Sequence, residues 1–207
     1  MKPEEEFLKS DFDQCFEQMR HYDSHFISII NFIFSGFAAV IVATIAFLQS
    51  TNDQSITLLG SAILFFLAWA VGSLLIAFLL RNRFYFTYVT RYVNEVRGNY
   101  LKAKPFAFEN KAGLPIDPRI PTFFNPFSAH AILMYFVALG TSIFLGACIS
   151  ALEVLALIKA GQQVVITFGN PIFVSTINFL VELLWIILYL KGCERRKAKK
   201  AEMIRNK

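Results

Sequence analysis

Residues 26–48 read FISIINFIFSGFAAVIVATIAFL, 23 positions without an Asp, Glu, Lys or Arg. As a helix this stretch rises about 34 Å, enough for a hydrocarbon core of about 30 Å that needs roughly 20 apolar residues. Working outward, three more charge-free stretches follow at Gln54–Leu80, Ile120–Leu152 and Ala160–Val181. They belong to a chain of 207 residues that is 56% hydrophobic and 17% charged, with mean hydropathy +0.50. Soluble domains are about 45–50% apolar and about 25% charged. Composition therefore excludes a soluble globule, and equally a disordered chain.

A chain crossing lipid must satisfy its backbone internally, and barrel strands would alternate apolar and polar residues over about ten positions. Nothing here alternates in that way. The expected fold is an all-α integral membrane protein with four transmembrane helices. Hairpin 1 covers residues 26–80, with spans at 26–48 and 57–80. Hairpin 2 covers residues 129–190, with spans at 129–152 and 171–190. The first span follows 25 residues that carry seven acidic groups. A cleaved signal peptide has a basic start instead, so this span is expected to be retained.

Charge sets the expected orientation. Lys and Arg number three before the first span and none between spans one and two. Segment 81–128 holds eight, the loop between spans three and four only Lys159, and the tail 191–207 another eight. The positive-inside bias then puts both termini and the central segment in the cytoplasm. The expected location is a bacterial inner membrane, crossed several times.

The cytoplasmic segments have their own patterns. In residues 1–25, Leu8, Phe12, Cys15, Met19 and Tyr22 lead to Phe26 in steps of four and three, one apolar seam on an acidic amphipathic helix. Its acids are Glu4, Glu5, Glu6, Asp11, Asp13, Glu17 and Asp23, which suit a basic protein surface better than anionic headgroups. Residues 81–102 read as a helical extension of span two, and Pro105, Pro115, Pro118, Pro121 and Pro126 then forbid a continuous helix. This basic segment also carries Phe84, Phe86, Phe106, Phe108, Phe123, Phe124 and Phe127, too many aromatics for a solvated linker. One reading makes Phe123, Phe124 and Phe127 interfacial anchors for span three. The other makes Tyr85, Tyr92, Arg91, Arg97, Phe123 and Phe124 a partner-docking surface. The basic tail 191–207 reads as a stop-transfer and headgroup anchor, and no nucleic-acid partner is expected.

Within the apolar stretches Glu182 is the costly residue, about 12 Å inside the cytoplasmic end of span four. Asn178 and Ser175 lie on its face, and Ser28, Asn31 and Ser35 form a matching stripe in span one. Spans one and four are thus expected to meet through Asn31, Ser35, Asn178 and Glu182. Glu182 then serves either as a protonated interhelical contact or, in the alternative, as part of a proton or cation path. Small residues mark close helix packing: Gly36, Ala39, Ala43 and Ala46 in span one, Ser142, Gly146 and Ser150 in span three, and Ala68 and Gly72 in span two.

Chemistry-bearing motifs are missing. Glu17, His21 and His25 share a helix face, but a solvated face is the expected reading rather than a metal site. Cys15, Cys148 and Cys193 match no metal or redox spacing. No phosphate loop, nucleophile elbow or zincin helix is present, so neither an enzyme nor a cofactor is expected. In span count, loop length and charge, the layout is similar to small four-span bacterial membrane proteins, including effectors and accessory subunits of antiphage systems. No sequence motif accompanies that likeness. The expected function is a non-enzymatic interaction or effector protein, homo-oligomeric, surrounded by lipid and presenting a cytoplasmic platform to a protein partner. The alternative is a small oligomeric channel or transporter using Glu182.

Overall fold

The computed structural model of the protein describes residues 3–50, 53–102, 110, 113, 115–162 and 169–205, with side chains at all but 3, 4 and 197–205. Pro105, Phe106, Phe108 and the side chains of the tail beyond Arg196 thus lie outside the described residues. Of the described residues 89% are helical, and none is in a strand. Four helices account for this: α1 (Pro3–Ser50), α2 (Gln54–Lys102), α3 (Ala129–Lys159) and α4 (Gly169–Arg205). Each is long and apolar enough to cross a membrane.

The acidic N-terminal seam and span one form a single helix, as do span two and residues 81–102. Two helices run on beyond the expected spans. α3 continues past Leu152 to Lys159, and α4 continues past Leu190 into the basic tail. Local chemistry explains the breaks. Asp53 Oδ1 accepts the backbone N–H of Ser55 at 2.8 Å and of Ile56 at 3.3 Å, capping α2. Gly161, at φ 64°, ends α3. Its N–H reaches Ile158 O at 3.1 Å and that of Gln162 reaches Leu157 O at 3.1 Å, an end that needs a residue tolerant of positive φ.

The chain forms two compact units, the first drawn from Met1–Ile27, Leu80–Ser128 and Leu188–Lys207 and the second from Ser28–Leu79 and Ala129–Ile187. In the second unit glycines set the helix spacing. Phe37 of α1 lies against both Gly72 of α2 and Gly140 of α3, and its ring centroid is 4.8 Å from that of Phe144. A Cβ on Gly72 would strike the Thr141 methyl, and one on Gly146 would strike Ser175 Oγ and come within 3.0 Å of Pro171 O. Met134, Val137, Ala138 and Ile186 are fully buried, whereas Phe32, Val42, Leu74 and Leu184 point outward. An apolar groove of about 190 Å³ lies between α1 and α2, lined by Phe32, Gly36, Leu67 and Val71 among others.

The first unit is built differently, because its core is ringed by polar groups. Phe26, Leu80, Val93, Phe123 and Leu190 are buried together with Asn82, Arg83, Thr87 and Asn94.

Candidate functional site

Two constellations hold the polar side chains that a purely apolar bundle would not need. The first is in the second unit and centres on Glu182, which is only 7% exposed. Ser73 Oγ of α2 donates to Glu182 Oε1 at 2.7 Å, and Thr141 Oγ1 of α3 lies 2.6 Å from Oε2. One turn away, Asn178 Oδ1 accepts from Trp69 Nε1 at 3.3 Å, and Asn178 Nδ2 donates to Ser142 Oγ at 3.0 Å. Ser142 in turn donates to Ala138 O at 2.7 Å. The stripe on α4 is therefore read by α2 and α3. This corrects the expected contact with span one: Asn31 and Ser35 lie on an exposed face of α1 and take no part in the cluster.

The other residues selected for helix packing divide in the same way. Ser142 is buried, Ser150 is half-buried, and Gly146 marks a close approach of α3 to α4. Gly36, Ala39 and Ala43 are exposed, and a Cβ on Gly36 would meet nothing within 4 Å.

The second constellation is in the first unit and centres on Arg91. Its Nε donates to Pro121 O at 2.8 Å, and its Nη2 lies 2.8 Å and 3.0 Å from the two carboxylate oxygens of Glu194 on α4. The guanidinium carbon stands 4.4 Å from the Phe123 ring centroid, and Phe123 N–H donates to Glu194 Oε2 at 2.8 Å. The segment after Pro115 is held along α2 by further bonds. Asn94 Nδ2 donates to Ile120 O at 2.7 Å, Arg97 Nη1 to Pro115 O at 3.1 Å, and Arg83 Nη2 to Thr122 O at 3.3 Å. Prolines leave carbonyls with no helical partner, and the basic groups of α2 collect them.

The N-terminal helix joins this frame. Tyr22 stacks on Tyr85 with centroids 5.6 Å apart, Asn82 Nδ2 donates to Tyr22 O at 2.6 Å, and the Tyr92 hydroxyl donates to Asp11. That bond, with burial and the Asp11 charge behind it, pushes the Tyr92 phenol up to about 12. Burial, with Asp11 nearby, also raises the Cys15 thiol. The Asp117 carboxyl is lowered by the N–H groups of Arg119.

No family model matches the chain, and no curated protein or solved structure is significantly similar to it.

The six residues singled out for partner docking are mostly framework. Phe123 is fully buried, and Arg91, Arg97, Tyr85 and Tyr92 are committed to the contacts just described. Phe124 lies under Lys191, whose Nζ is 5.2 Å from the ring centroid. The exposed apolar residues of the first unit are others, among them Phe7 at 73%, Tyr100 at 58% and Phe127 at 86%. Phe127 is exposed, whereas Phe123 is not. His21 and His25 stack at 5.9 Å, and among the described residues no three His, Cys, Asp or Glu are placed to hold a metal.

Several participants carried no obvious sequence signal. Glu194 sits in a run of cations, and Ser73, Thr141 and Trp69 look like ordinary span residues. One clue was available. Ser73 precedes Arg81 by eight residues and Glu182 precedes Lys191 by nine, so the two residues stand at similar distances from the first cation after each apolar stretch.

Proposed function

We propose that this chain is a multi-pass inner-membrane interaction or effector protein of bacterial type. Both termini and segment 81–128 face the cytoplasm, and self-association completes the working form. The supporting observation is the Arg91–Glu194–Phe123 junction. A chain that needed only a membrane anchor would not tie three distant segments into a separate unit with its own core. Non-enzymatic action is favoured because the unit's polar groups are consumed in holding it together. At the start of α1 its surface is exposed all round the helix, with Phe7 and Leu8 beside Glu5 and Glu6, and Asp13 is exposed two turns further on. Such a face suits a basic, partly apolar segment of a cytoplasmic protein. On the likeness of its span count, loop length and charge to accessory subunits and effectors of antiphage systems, we propose a membrane-directed defence function.

Two experiments test this reading. Reporter fusions at Asn52 and Gln162 are expected outside the cytoplasm, and a cytosolic signal at either overturns the topology. A photocrosslinker at Phe7 is expected to trap one protein partner, with the adduct lost in the E5K/E6K/D13K triple variant. Adduct formation that ignores this charge reversal overturns the docking face. A conducting pathway is the less favoured reading, because the apolar stretches offer no second Asp, Glu, Lys or Arg to follow Glu182.

A further inference from the structure

We propose that Glu182 is a reversible proton-binding site whose charge state is reported to α2 and α3 by a rotating hydroxyl. The inference comes from counting hydrogens. A threonine hydroxyl has one hydrogen to donate and lone pairs to accept. Thr141 Oγ1 stands between two acceptors, Glu182 Oε2 at 2.6 Å and Ala138 O at 2.9 Å. With Glu182 ionised, Ser73 and Thr141 each donate to one carboxylate oxygen, and every hydroxyl hydrogen is used. With Glu182 carrying a hydrogen on Oε2, that hydrogen goes to Thr141 Oγ1, and the Thr141 hydroxyl turns to Ala138 O. Ser73 still donates to Oε1. Both states leave the Glu182 oxygens and the Thr141 hydroxyl with a partner; the ionised one also bears the cost of a charge buried in an apolar stretch.

Glu182 is the acid at the centre of the cluster, and few other ionisable groups lie on the elements packed against it. From α2 it meets Ser73, and Gln54–Leu80 contains no ionisable side chain. From α3 it meets Thr141, and Ala129–Leu152 adds His130, buried about three turns from Thr141, with Tyr135 and Cys148. α4 carries no other acid or base between Gly169 and Ile187, and α1 none between Ser28 and Ser50. Protonation also has a second reader. Ala138 O already accepts from Ser142 Oγ, which is held by Asn178, which is held by Trp69. When Thr141 turns to Ala138 O it competes with Ser142 for the same oxygen, and the change reaches the Trp69 indole. This inference stands apart from the docking proposal, and its failure would leave that proposal intact.

The test is infrared difference spectroscopy on the full-length protein in lipid, stepped through pH. A protonated-carboxyl C=O band is expected on acidification, reversing on return and lost in Glu182→Gln. In Thr141→Val the acid loses its acceptor and the band shifts position, which serves if the glutamine variant fails to assemble. Emission from Trp69, isolated by Trp185→Phe, is expected to follow the same pH course. A Glu182 band that is absent at every pH, or present and unchanged at every pH, overturns the proposal.

Discussion

Arg91 and Glu194, 103 residues apart in the chain, meet with the guanidinium Nη2 at 2.8 Å from one carboxylate oxygen and 3.0 Å from the other. Glu194 also accepts from Phe123 N–H, so one carboxylate joins α2, the proline-rich segment and α4. The Arg91 side chain is 15% exposed and that of Glu194 40%, so solvent screens part of the attraction. Glu194→Ala is expected to destabilise the first unit by about 1–2 kcal/mol, mainly through the unpaired Phe123 amide. Hydrogen exchange at Phe123 and Phe124 should rise while that of α3 stays unchanged. Glu194→Gln keeps one acceptor and should fall between. Equal protection in all three proteins would mean that the junction contributes nothing.

Thr87 Oγ1 is fully buried and has no hydrogen-bond partner among the described residues. Valine has nearly the same shape without the hydroxyl, so Thr87→Val removes an unpaired polar atom and leaves no cavity. The variant is expected to be more stable by about 1 kcal/mol. A thermal midpoint in detergent that rises against wild type is the confirming result. A fall would mean that the hydroxyl has a water or partner that matters.

The four helices were legible because charge-free length is a one-dimensional signal, and the N-terminal seam and Arg81–Lys102 were legible because their periodicity continues that of the spans. Helix neighbours were not legible. Position along the stretches could pair Glu182 with Asn31, Ser35 or Ser73 alike, whereas the packing of α2 on α3 at Gly72 and of α3 on α4 at Gly146 accompanies the meeting of Ser73 and Thr141 at Glu182. The proline-rich segment failed for another reason. Exposure cannot be read from aromatic content, so Phe123 looked like a docking residue when it is the buried floor beneath Arg91. Glu194 was hidden by the net charge of its surroundings, although a lone acid among cations is where a specific pair can form.

The glycine contacts give a prediction about the Glu182 cluster. A Cβ on Gly72 would strike the methyl of Thr141, whose hydroxyl contacts Glu182. Gly72→Ala therefore separates α2 from α3 and pulls at Ser73 and Thr141 together. Gly146→Ala meets Pro171 O, a backbone atom that cannot rotate away. Each is expected to cost about 1–3 kcal/mol as overpacking. Gly36→Ala meets open space and should be neutral in the isolated chain. Thermal unfolding in detergent checks the order, and a Gly36 variant as damaged as Gly146→Ala would place the α1 face inside an oligomer contact.

The bond from Tyr92 to Asp11 predicts an alkaline limit for the attachment of the N-terminal helix. The phenol is pushed from its ordinary value of 10 to about 12, first by that hydrogen bond and then by burial and the Asp11 charge. A group whose folded value is raised contributes stability that is whole below its unfolded value and lost as pH climbs through the folded one. The contact should therefore be insensitive to pH from neutrality to about 10 and should weaken from about 10 to about 12. Tyr92→Phe removes it at every pH, so wild type and variant should differ in protease cleavage near Phe16 at neutral pH and converge at the alkaline end. Cleavage that is identical at neutral pH would show that the Tyr22–Tyr85 stack and the Asn82 bond hold the helix without Tyr92.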